Sequence, residues 1–133
     1  MRVFVTSDSD ARAGVGEVND QIGEEIARFF KPRSYGEAIR EVVIVLMCRD
    51  PMYGYKQRVR LDRKERIFYV DVMLNWEEML GAGPRRRAVV LGAIQRALRE
   101  VLERRNRRER LKEFDLGQFL LDFDTVCTRL ARP

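Results

Sequence analysis

The chain has 133 residues, of which 45% are hydrophobic and 35% charged, a balance that fits one folded domain with a heavily charged surface and excludes a disordered chain. It contains no histidine, which excludes Ser-His-Asp and Cys-His nucleophile pairs, histidine acid–base chemistry and mixed Cys/His zinc sites. The net charge of +5 is concentrated, because residues 84–113 hold eleven basic and four acidic side chains while the flanking segments nearly balance.

Arg2 to Thr6 reads as a short strand. The N-terminus lacks the apolar run of a signal peptide, and no stretch reaches membrane-spanning length, so a cytoplasmic location is expected. Ser7 to Val18 is expected to be a loop. Its Gly14-Val15-Gly16 is half of a dinucleotide fingerprint, but Asn19 stands where the third glycine belongs, so a flexible loop is the better reading. Asp8 and Asp10 read as turn or capping groups rather than a Mg²⁺ site, since no further carboxylate cluster joins them. Asn19 or Asp20 is positioned to cap a helix running to about Lys31, with Ile22, Ile26, Phe29 and Phe30 at helical spacing and Pro32 as its stop.

Glu41 to Arg49 is a β-branched run, apolar at alternating and intervening positions alike. It predicts a central strand covered on both faces. After a turn at Asp50 to Gly54, Lys56 to Leu61 alternates, with Val59 and Leu61 on one face and Arg58 and Arg60 on the other. A polar turn, Asp62 to Glu65, leads into a strand from Arg66 to Asn75 with Phe68, Val70, Val72 and Leu74 on one face. Short polar turns between three strands predict an antiparallel meander.

Pro84 opens a long helix to about Arg105, with Val90, Leu91, Ile94, Ala97, Leu98, Val101 and Leu102 as its apolar stripe. Arg96–Glu100, Glu100–Arg104 and Arg99–Glu103 stand at i,i+4 spacing. Asp115 caps a last helix that buries Leu116, Phe119, Leu120, Phe123, Val126 and Leu130. Asp122 and Asp124, two apart on that helix, do not face each other. Cys48 and Cys127 each sit among apolar neighbours and read as small buried hydrophobes. The whole is one α+β domain over 1–133: a three- or four-stranded, mainly antiparallel meander with an N-terminal helix and two C-terminal amphipathic helices.

No catalytic residue, metal site or cofactor motif is legible, and no P-loop occurs. Two surfaces remain. The arginine-rich segment 84–113 could neutralise phosphates. It lacks the interleaved aromatics that stack bases, and its glutamates break the field, which favours a solvated, salt-bridged helix. The second surface is the outer sheet face, where Arg58, Arg60, Tyr69 and Asp71 are the candidate partner-binding residues, with Ile67 and Met73 beside them. Arginine and tyrosine are favoured interface anchors; the competing expectation is that the N-terminal helix covers them. The turn Met52-Tyr53-Gly54-Tyr55 is a second candidate contact, and Trp76 reads as an edge-of-core residue.

Several stretches carry a resemblance: Tyr35-Gly36-Glu37, Val43-Ile44-Val45-Leu46, Arg58-Val59-Arg60, Tyr69 to Glu78 and Phe114 to Asp122. Together, over about residues 19–130, the chain resembles the small bacterial immunity proteins of polymorphic toxin systems. The resemblance implies function by capture: a cytoplasmic protein binds the toxin domain encoded beside it and blocks it, with no chemistry of its own. It carries over no binding residue. Many immunity proteins that meet basic nucleases are acidic, so the net +5 argues against a nuclease as the partner. The alternative is a nucleic-acid-binding protein that uses the 84–113 segment.

Overall fold

The structure is a computed structural model that describes residues 1–7, 9–49, 59–104 and 113–132. Four strands, β1 (Arg2–Ser7), β2 (Glu41–Arg49), β3 (Val59–Asp62) and β4 (Ile67–Asn75), form one sheet in the order β1-β2-β4-β3. The described helices are α1 (Ser9–Phe30), α2 (Trp76–Ala82), α3 (Arg86–Ala97) and α4 (Leu116–Ala131). A 3₁₀ turn at Gly83–Arg85 precedes α3, and a π-helical turn at Leu98–Leu102 follows it.

The sheet is mixed and mostly parallel, which corrects the expected meander. β2 runs parallel to both β1 and β4, and only the β3–β4 hairpin is antiparallel. The reason lies in β2 itself. β2 is hydrogen-bonded on both edges, and runs apolar at successive positions are typical of parallel strands. β1 supplies one neighbour because α1 gives the chain the length for a crossover. β4 supplies the other, and the short, charged β3 takes the exposed edge, where Arg60 and Asp62 are tolerated.

Helix α1 begins at Ser9, so the expected loop at residues 7–18 is helical from that point. Two glycines cost about 1 kcal/mol each against alanine there. The cost is spread over a 22-residue helix whose later turns bury Ile22, Ile26 and Phe30 completely. Asn19 is therefore not a cap but a buried residue within the helix, 8% exposed. As expected, α1 stops before Pro32. Asn75 caps the short helix α2, its Oδ1 accepting from the Glu78 amide at 3.1 Å, with Glu77 and Glu78 in the first turn. The sequence reading missed this helix, although an asparagine followed by acidic residues is its signal.

One face of the sheet is the core. Val42, Ile44, Leu46, Phe68, Val70, Val72 and Leu74 are at most 2% exposed, and the helical layer lies over them. Each such side chain contributes on the order of 1.5–3 kcal/mol by leaving water. α1 packs on β1 and β2, α3 on β4, and α4 against α3 and α1. An aromatic cluster joins the layers: Phe30 meets Phe119 and Phe123 at ring centroid distances of 5.3 and 5.5 Å, and Phe68 meets Phe114 at 6.0 Å. The predicted stripe of α4 is buried as its spacing requires, with Leu130 packed at the margin. Cys127 is free and 1% exposed, and burial, with the Asp124 charge beside it, pushes its thiol pKa up to about 12. The side chain of Cys48 lies outside the description.

Candidate partner-binding face

The opposite face of the sheet has no described helix over it. The register aligns its side chains in rows that run across the strands. One row is Phe4, Val43, Tyr69 and Arg60. The next holds Thr6, Val45 and Asp71, and beyond it Met47 stands beside Met73. Parity explains the arrangement. Partners in a ladder share a face, and successive residues alternate, so burying the even residues of β2 and β4 leaves the odd ones outward. Val43, Val45, Met47, Tyr69, Asp71 and Met73 are all only partly buried. Phe4 is 45% exposed.

Three of the four sequence-predicted contact residues can be placed, and the structure brings them together. Arg60 and Tyr69 are register partners, and the guanidinium carbon lies 5.0 Å from the tyrosine ring centroid, a cation–π distance. Asp71 is two residues along β4 on the same face. Arg58 and the Met52-Tyr53-Gly54-Tyr55 turn lie outside the described residues. α1 does not cover this face. It packs on the core side, where Ile22, Ile26 and Phe30 are buried. The central strand is correspondingly covered on one face fully and on the other only in part. Sequence reasoning missed Phe4, although a phenylalanine alternating with buried Val3 in a strand is an exposed aromatic by parity alone.

Four of the six described arginines of the arginine-rich segment are engaged with the protein's own acceptors, while Arg85 and Arg96 are exposed. Arg87 donates to Gln21 Oε1 at 2.6 Å, Arg86 Nε to the Met79 carbonyl at 3.3 Å, and Arg104 Nε to the Glu100 carbonyl at 3.1 Å. Arg99 pairs with Asp124, which also accepts from Gln95. Residues 105–112 lie outside the description, as do the side chains of Asp8, Asp10 and Trp76. Asp122 and Asp124 take different partners, Tyr35 and Gln118 for the first, Gln95 and Arg99 for the second, as their spacing predicts. Among the described residues no cluster of Cys, Asp and Glu is arranged to hold a metal ion, and no helix is long and apolar enough to cross a membrane.

Helices on one side of a sheet, with no described helix over the aromatic and charged rows on the other, define an α+β domain of two layers. The chain matches the model of the family described as Immunity protein 44 over residues 1–129, and it belongs to that family. The resemblance to immunity proteins seen in the sequence is thereby borne out. No curated protein and no solved structure matches the chain.

Proposed function

We propose that this chain is a non-catalytic inhibitor that captures a cognate toxin domain on the open face of its sheet, in the cytoplasm of the producing cell. The observation that carries this reading is the row Phe4–Val43–Tyr69–Arg60, an aromatic and arginine patch left outward by the fold. Arginine and tyrosine are among the residue types that dominate interface energetics. Here they stand on hydrogen-bonded strands, and the ring and guanidinium already lie at contact distance. That contact orders the pair in part before binding, which favours affinity. Family membership supports the reading, as does the absence of histidine from the chain.

The test is co-expression with the toxin domain encoded directly beside the gene, followed by calorimetric titration of the two purified proteins. The wild-type chain is expected to restore growth and bind. Tyr69→Ala and Arg60→Ala should each weaken binding by about 1–3 kcal/mol while leaving the far-UV circular dichroism unchanged. Cell death in the presence of folded, abundant wild-type chain would refute the proposal. Undiminished affinity in the double variant would remove this face from it.

A further inference from the structure

The open face continues around the β1 edge into a groove of about 650 Å³ between β1 and α1. Phe4 belongs to both, and Arg2, Glu24, Arg28, Lys31 and Arg40 also line the groove. β1 is an edge strand, yet Val3 is fully buried. α1 packs along this strand, with Gly23 in van der Waals contact with Val5.

The charges in the groove are unequal. Arg28 is neutralised within α1 by Glu24 and Glu25, at 3.2 and 3.1 Å, and Arg40 pairs with Glu65 at 3.1 Å. Among the described residues, the side chains of Arg2 and Lys31 have no ion pair or hydrogen bond, and both residues are exposed. Two cations without an ion pair among the described residues thus flank an exposed aromatic ring, with Glu41 opposite Arg2 in the strand register. An interface that buries or faces such charges needs opposite charge on the partner, because like charges there cost several kcal/mol.

We infer that this groove receives an acidic segment of the toxin domain, with an apolar side chain against Phe4 and carboxylates toward Arg2 and Lys31. The inference rests on the capture function proposed above and adds the chemistry of the partner's surface.

The test is the double reversal Arg2→Glu with Lys31→Glu, measured by stopped-flow association with the purified toxin domain at two ionic strengths. Charges at an interface rim act mainly on the association rate. The rate is expected to fall on the order of tenfold at low salt, and its salt dependence to flatten. A photo-crosslinking residue in place of Phe4 should label a toxin peptide rich in Asp and Glu. Wild-type association rate and salt slope in the double reversal, alongside lost binding in Tyr69→Ala, overturn the groove and leave the sheet-face reading standing. No toxin binding by the wild-type chain overturns both. Retention of an oligonucleotide by the wild-type groove, abolished by the same reversal, also overturns the assignment to a protein partner.

Discussion

Tyr35 shows how one side chain can serve two environments. Its ring is packed against Phe30 and Phe119, at centroid distances of 6.1 and 5.3 Å, while its hydroxyl donates to Asp122 Oδ2 at 2.5 Å. The residue is 5% exposed, so the hydroxyl depends on that carboxylate for the hydrogen bond water no longer gives. Tyr35→Phe keeps the packing and leaves Asp122 with its bond from Gln118 Nε2 at 2.9 Å. It should cost about 1–2 kcal/mol, read as a lower urea midpoint with an unchanged slope. An unaltered midpoint would show that the hydroxyl bond adds nothing net. Asn19 is the contrasting case. It too is buried, but among the described residues its Oδ1 has no hydrogen-bond partner, an arrangement that costs stability rather than adding it.

Tyr35 also opens the junction that fixes the last helix. The segment around it lies beside the approach to α4: the Asp115 amide donates to the Tyr35 carbonyl at 2.7 Å, and the Ala38 amide to the Glu113 carbonyl at 3.3 Å. Gly36 sits between these bonds with φ 107, and a Cβ there would lie 1.9 Å from the Glu113 carbonyl oxygen. Both the backbone angle and the space demand glycine. Gly36→Ala should therefore destabilise the chain by at least ~2 kcal/mol, measured by urea unfolding, and should loosen α4, seen as faster amide exchange along its buried stripe. A stability loss below half that size would show the junction to be pliable. At this scale the sequence was readable where one element's own pattern decides its fate. β2, β4 and α4 follow their hydrophobic spacing, and Asp115 caps α4 by accepting from the Gln118 amide at 3.1 Å. It was not readable where a partner decides. The parallel pairing of β2 with β4 depends on which edge β3 takes, and nothing within Val59–Asp62 states that. The start of α1 was hidden for a related reason, since Gly14 and Gly16 argue locally against a helix that the packing of its later turns sustains. The partner-binding candidates were half legible. Alternation placed Arg60, Tyr69 and Asp71 on one face, but whether α1 covered that face was a question of topology.

Across the whole molecule, two buried acids give the stability a direction in pH. Burial first, then the hydrogen bond and charge of Asp122, raise the Tyr35 hydroxyl above its ordinary pKa. Burial first, then Asp124, raise the Cys127 thiol from 9.0 to about 12. Both groups stay protonated in the folded chain at pH values where the unfolded chain releases their protons. Above the unfolded pKa the unfolded state therefore binds fewer protons, and stability falls as pH rises. The contribution is complete below about pH 8.5, where the free thiol begins to ionise, and is joined by the tyrosine near pH 10. Each group adds a slope of at most ~1.4 kcal/mol per pH unit, and the thiol's part is lost by about pH 12. Urea unfolding at pH 8, 9, 10 and 11 should show stability declining through this window. Cys127→Ala should flatten the decline from pH 9 to 10, and Tyr35→Phe its continuation above pH 10, each after allowance for its constant offset at pH 8. Curves for the two variants that parallel the wild-type decline would assign the alkaline weakness elsewhere.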